Sequence, residues 1–351
     1  MKRLLYVPGK PGVTFFDAVC DYDNIVTALH NASHARPHDP AVQYALHNEE
    51  KCCKSIQNML LNKAYHTSEY DVFTKYEHEK ERVIYKLPFF PDRIVHWAIL
   101  QQIGPTLESK FIKNTYSSIK GRGPLKCLQD INKDILEHPD ETFYCLKIDI
   151  RKFYPSINHD ILKSKYERIF KDSDLLWLLS EIIDSVPEDE GIPIGNYLSQ
   201  FSGNLYLTDF DHWIKEEKHI KFYYRYMDDM VFLCNSKDTL WELLSEIRDY
   251  IDQLLHLHLK PNYQIFPVDD RGLDFVGYVI FHDHVLVRRR VADGYKRCVV
   301  RCLQKRELTI HDISQYFAYK GFITYSNHHN LHRKYGMMLE NMFNMKTGKR
   351  L

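Results

Sequence analysis

A net charge is the first thing this 351-residue chain lacks, because 47 Lys and Arg balance 47 Asp and Glu. A zero sum removes the simplest electrostatic sign of a nucleic-acid partner and leaves the distribution of charge to decide. The chain also has no apolar run approaching the roughly 18 residues that a bilayer-crossing helix requires. Its opening, MKRLLYVPGKPGVTFF, has neither the apolar region nor the small-residue cleavage site of a signal peptide. A membrane role is therefore excluded at this stage and a cytoplasmic location expected. Glycine and proline are scarce, 14 of each, which argues against long disorder. Eight cysteines are present, but neither Cys52-Cys53 nor Cys298-x-x-x-Cys302 has His or Cys partners at zinc-site spacing. Buried free thiols are the expectation.

What is present is a segregation of charge. From Phe281 to Leu351 there are 14 Lys and Arg against 5 Asp and Glu, a surplus of nine, and Lys110 to Lys126 holds five basic residues and no acid. An acidic run, DSVPEDE, lies at Asp184 to Glu190. Basic surfaces around an acidic centre suit a protein that grips phosphate backbones and also binds cations. A solvated helix face remains the commoner meaning of any single charge run.

Hydrophobic spacing orders the elements. The first hundred residues are predicted helical, interrupted by a hairpin in TKYEHEKERVIYKLPFFPDR that ends at a turn near Pro91. TFYCLKIDI (Thr142 to Ile150) reads as a buried strand, HDILKSKYERIFK and SDLLWLLSEIIDS as helices, the second capped by Ser173, and NYLSQFSGNLYLTDFDHWIKE as one long helix. FYYRYMDDMVFLC (Phe222 to Cys234) reads as two strands turning at Met227-Asp228-Asp229. DTLWELLSEIRDYIDQLL follows as an amphipathic helix, then GLDFVGYVIF and HVLVRR as strands before a basic helical tail. The expected class is α+β: an antiparallel sheet with helices on one face and the other face open to a ligand.

That open face is where the carboxylates fall. Asp149 ends one predicted strand, and Asp228 and Asp229 sit at the turn of a hairpin that returns to the sheet. A bare Asp-Asp in a turn is ordinarily just turn chemistry. Here it sits in Tyr-Met-Asp-Asp between apolar strands, with a third strand-end Asp upstream. Three converging carboxylates repel one another unless cations lie between them. Two Mg²⁺ ions would balance the charge and serve in-line phosphoryl transfer.

These residues resemble a reverse transcriptase. YMDD at Tyr226 to Asp229 is similar to that family's signature hairpin, and IDIRKFYPSI to its first metal-binding motif. The resemblance implies a right-hand polymerase with fingers, a ferredoxin-like palm and a helical thumb. It implies Asp149, Asp228 and Asp229 as catalytic residues, Asp149 and Asp228 as ligands of both Mg²⁺ ions (with Mn²⁺ able to substitute), Asp229 as their neighbour, and Ile150 as a further metal contact. Tyr154 takes the place of the aromatic that blocks a ribose 2′-OH, with core packing an equal alternative. EKERVIYKLPFFPDRIVHWAI is similar to the fingers segment, which implies that Lys80 and Arg82 contact the incoming triphosphate. GLDFVGY resembles the primer-grip strands, and YFAYKGFITYSN the thumb. Asn262 falls where the family usually has a lysine, with Lys260 nearby.

One motif narrows the branch. Pro193-Ile194-Gly195 stands where most of the family has Pro-Gln-Gly, and IGNYLSQ, ending at Gln200, is similar to the enzymes of diversity-generating retroelements. That implies Ile194, Gly195 and Gln200 as substrate-binding residues. It further implies error-prone copying opposite template adenines, an RNA template, a DNA or RNA primer, dNTPs, a small basic pentameric accessory protein, and a bacterial or phage source. Alternatives are a stand-alone defence-associated bacterial reverse transcriptase and a non-catalytic RNA-binding scaffold; length argues against added maturase or ribonuclease H domains. The expected division is 1–75 helical extension and start of fingers, 76–141 fingers and upper palm, 142–285 palm, and 286–351 basic helical thumb.

Overall fold

Three of the first helices begin at side chains that the sequence places for the purpose. Thr14 and Asp17 form a capping box at Phe15–Cys20, Asp21 accepts from Asn24 N–H at Tyr22–Ser33, and Asp39 precedes Pro40 at Pro40–His47. The computed structural model describes residues 3–34, 36–77, 80–186 and 190–347, without the side chains at 77, 80, 82 and 343–347. The chain divides into two units, one of Met1–Lys113, Ile150–Lys218 and Glu246–Lys260, the other of Asn114–Asp149, His219–Ser245 and Pro261–Leu351.

The first unit is helical around Ile94–Glu108, which buries Ile94, Val95, Ala98, Ile99, Leu100, Ile103 and Leu107. A helix apolar on every side belongs in a core, and Tyr22–Ser33 and Tyr197–Tyr206 pack against it. Strands β1 (Asp71–Glu77) and β2 (Lys80–Lys86) form the expected hairpin. Two expectations need correction. Asp172, not Ser173, caps Ser173–Ile183, its carboxylate accepting from Asp174 and Leu175 N–H. The long helix after Gly195 is instead Tyr197–Tyr206 and Thr208–His212, interrupted at Leu207.

The second unit is built on a five-stranded sheet. Its strands are β3 (Thr115–Tyr116), β4 (Tyr144–Asp149), β5 (Phe222–Tyr226), β6 (Asp229–Cys234) and β7 (Gln264–Pro267), in the order β3-β5-β6-β4-β7. Four strands are antiparallel, while β3 runs parallel to β5. A second sheet of β8 (Leu273–Phe275), β9 (Tyr278–Ile280) and β10 (Val285–Val287) leads into the basic helix Arg289–Gln304. The face open to a ligand is confined to the end of the sheet where Lys147, Asp149 and Asp229 line a cleft. Leu146, Ile148, Met230 and Phe232 are buried on one side, and Cys145, Tyr224, Val231 and Leu233 on the other. Those last four join a core with Leu128 and Ile131 of helix Pro124–Glu137 and Tyr295 of Arg289–Gln304. Strands apolar at both parities have to be covered twice. All eight cysteines are free thiols, seven of them buried. Among the described residues no helix is long and apolar enough to cross a membrane.

Candidate active site

The two central strands β4 and β6 each carry an aspartate at the same end. Asp149 closes β4, Asp229 opens β6, and the ladder sets them directly opposite each other. Tyr226 also pairs with Asp229, so the turn holds only Met227 and Asp228. Met227 takes φ +56°, the left-handed region that two-residue hairpins need and that a non-glycine residue enters at a cost. The buried Arg225 offsets that cost by donating from Nη1 to the Met227 carbonyl at 3.0 Å. The resemblance implies Asp149 and Asp228 as ligands of both ions with Asp229 as their neighbour; the ladder sets Asp149 opposite Asp229, and Asp228 lies in the turn, half-buried.

Like charges placed opposite in a ladder repel. Desolvation in the cleft pushes the Asp229 carboxyl up, Lys147 pulls it down, Asp149 pushes it up again, and the balance lies at about 6. Lys147 Nζ stands 3.5 Å from Asp229 Oδ2 and donates to the Asp274 carbonyl at 2.6 Å. The Asp274 carboxylate in turn accepts from Arg288 Nε. Lys147, Asp149, Asp229, Asn262, Arg271 and Asp274 line a cleft of about 430 Å³.

Among the described residues no three His, Cys, Asp or Glu side chains are grouped as a complete metal cage. The pair nevertheless fits a hard divalent cation. Asp229 Oδ1 is buried with no hydrogen-bond partner among the described residues. Mg²⁺ is characteristically held by one or two carboxylates, with water and substrate phosphates completing its shell.

Residues 73–280 match the family described as reverse transcriptase (RNA-dependent DNA polymerase), more than half of the chain. The chain belongs to the reverse transcriptase family. This reverse transcriptase is also similar to Protein YkfC of Escherichia coli (strain K12), 22% identical over 261 residues, covering 63% of this chain and 67% of that protein. Among solved structures it resembles apo telomerase from Candida tropicalis, with a TM-score of 0.53 at 13% identity over 72% of this chain. Telomerase from Candida albicans in complex with a fragment of telomeric RNA gives a TM-score of 0.50 at 9% identity over 82% of this chain. This chain spans 53% and 62% of the lengths of those two telomerases. The likeness establishes the fold, a right-hand polymerase.

The remaining sequence-selected residues of this reverse transcriptase lie in its first unit. Ile150 is buried and bridges to Leu259. Tyr154 opens the short turn Tyr154–Ser156, and its carbonyl accepts from Ile192 N–H at 3.0 Å, which brings it beside the Ile194-Gly195 loop. Gly195 has φ +112°, a conformation open to glycine, and lies against the backbone of Tyr85 in β2. Ile194 and Gln200 are half-buried. Lys80 and Arg82 fall on β2, and their side chains lie outside the described residues.

Sequence reasoning passed over Lys147 and Arg225, although strand alternation alone places Lys147 on the face of Asp149. It also passed over a basic cavity of about 110 Å³ whose lining includes Arg36, Lys86, Arg93, His96 and Asn196 and, among the described residues, no carboxylate. Arg93 Nε, His96 Nε2 and Asn196 Nδ2 are buried there with no hydrogen-bond partner among the described residues.

Proposed function

We propose that this chain is an RNA-directed DNA polymerase that extends a DNA or RNA primer on an RNA template from dNTPs. The observation that carries this is the Asp149–Asp229 pair lining a cleft, with Asp229 Oδ1 buried and without a hydrogen-bond partner among the described residues, in a chain of this family. Asp149, Asp228 and Asp229 are the catalytic carboxylates, with Ile150 next to Asp149 as a backbone contact. Two Mg²⁺ ions bound there would activate the primer hydroxyl and stabilise the leaving pyrophosphate. The protein's own part is to hold the carboxylates on paired strands whose apolar flanks lock their position.

In the first unit, Lys80 and Arg82 are assigned to the triphosphate, Tyr154 to the sugar, and Ile194, Gly195 and Gln200 to the template–nucleotide pair. The cationic cavity beside Gly195 supports phosphate handling there. Ile194 carries the finer reading. A glutamine at this place could penalise a misfit pair by losing hydrogen bonds, and an aliphatic side chain cannot. With IGNYLSQ, this supports error-prone copying at template adenines in a diversity-generating retroelement, of bacterial or phage source and with a small basic accessory protein as partner.

Mg²⁺-dependent extension on an RNA template, lost in Asp228→Asn, tests the activity. Sequencing of the product for errors opposite adenine tests the branch. No extension by the unaltered protein would overturn the first reading, and an even error spectrum the second.

A further inference from the structure

Lys147 forms an ion pair with Asp229 of the carboxylate pair, and it reaches there from within the strand that carries Asp149. It sits two residues before Asp149 on β4, pairs across the ladder with Val231, and so shares the face that carries Asp149 and Asp229. Its ammonium is 3.5 Å from Asp229 Oδ2, is anchored at 2.6 Å on the Asp274 carbonyl, and lies 5.7 Å from the centre of the Phe275 ring. Only 22% of its side chain is exposed. A lysine bound on three sides is not a surface charge that drifts into the cleft. It is a fixed point charge facing one oxygen of Asp229, while the other oxygen, Oδ1, has no hydrogen-bond partner among the described residues.

We propose that Lys147 is a built-in placeholder cation. It partly neutralises the Asp149–Asp229 pair, so the empty cleft binds divalent ions weakly and loads its metal chiefly together with the nucleotide triphosphate. The inference rests on the carboxylates being the metal site proposed above. Its logic is electrostatic. A unit positive charge a few ångströms from a bound dication opposes binding far more than one reoriented carboxylate oxygen favours it. Incoming phosphates supply the negative charge that Lys147 withholds. Lys147 is accordingly a positioning residue that acts through Asp229.

The sign of one measurement separates this from a merely structural lysine. Mn²⁺ binding to the full chain, without nucleic acid, is followed by the loss of the free-ion electron paramagnetic resonance signal, with and without dNTP. In Lys147→Met the affinity without nucleotide should rise at least about tenfold, and the gain on adding dNTP should shrink. Lys147→Arg, which keeps the charge, should stay near the unaltered protein. Half-saturating Mg²⁺ for primer extension should fall in Lys147→Met and not in Lys147→Arg. Unchanged or weaker Mn²⁺ binding in a folded Lys147→Met protein overturns the proposal, since it would make Lys147 neutral or a simple scaffold for Asp229. The control is Asp229→Asn. If that variant binds Mn²⁺ like the unaltered protein, the metal-site reading itself fails. If it loses binding while Lys147→Met is unchanged, only the placeholder fails.

Discussion

Arg225 donates a 3.0 Å hydrogen bond to the carbonyl of Met227, two residues ahead, from a side chain with no exposed surface. Met227 is the residue of the hairpin held at positive φ, so the bond fastens the turn at the point where its backbone is least comfortable. Asp228 and Asp229 follow immediately. The geometry of the carboxylates is therefore set by a guanidinium within the same hairpin.

Arg225→Met removes that bond and leaves a carbonyl short of a donor, at a cost of about 1–3 kcal/mol. The melting temperature should drop by several degrees, at about 2–4 °C per kcal/mol. Steady-state primer extension should lose at least about tenfold in kcat, with Arg225→Lys in between. A variant that melts early yet keeps full kcat at permissive temperature would show that the turn needs no such fastening.

Asp149→Asn makes opposite demands on activity and stability. Extension should fall by about a thousandfold, several kcal/mol of transition-state stabilisation. In a chelator at pH 7.5 the same variant should melt higher than the unaltered protein, because a like-charge pair across the ladder has been relieved. Equal melting temperatures would mean that Lys147 already cancels the repulsion.

Lys165 and Asp209 give a pH signature away from the site. Lys165 is buried, 5% exposed in its side chain, and donates to Asp209 at 2.7 Å, beside Arg168. Burial pushes the Asp209 carboxyl up, but Lys165 and Arg168 outweigh it and hold it below its ordinary value. A carboxylate lowered in this way stabilises fully above its unfolded value near pH 4 and loses that contribution as pH falls through the folded value. Asp209→Asn should cost no more than roughly 3 kcal/mol at pH 7, given that Asp209 is partly solvated. Its melting curve should converge on that of the unaltered protein in acid. A constant gap down to pH 2.5 would count against the pair.

Tyr154 and Gly203 should act on one property. A Cβ built on Gly203 would come 3.1 Å from Phe153 Cε1 and 3.5 Å from Tyr154 Cε1, so this helix position is kept bare where the aromatic pair packs. Tyr154→Ala should raise ribonucleotide use relative to deoxyribonucleotide by about tenfold or more. Gly203→Ala, by shifting the rings, should change the same ratio in part. Competition assays with matched rNTP and dNTP decide it, and no change in Tyr154→Ala would return that side chain to core packing.

Much of this was legible along the chain because the signals are local. The periodicity of Lys237–Leu255 and the apolar strands around YMDD each depend on residues a few places apart. Ser173 was mistaken for a cap because Ser and Asp are nearly equal N-caps and spacing alone does not choose between neighbours. The residue types of the site were in the sequence as well: Asp149, Asp228, Asp229, Tyr154 and the Ile194-Gly195 step.

Register was not. Which residue of the hairpin stands opposite Asp149 depends on the turn length, and a one-residue slip moves a side chain to the other face of a sheet. Only the ladder decided that Asp229 is the residue opposite Asp149. The short parallel strand β3 and the covering of both sheet faces were likewise beyond the sequence, because they depend on segments far apart in the chain being brought to the same strands. Lys147 shows the division most clearly. Alternation along β4 puts it on the face of Asp149, but its hold on Asp229 and on the Asp274 carbonyl exists only once three distant segments are packed together.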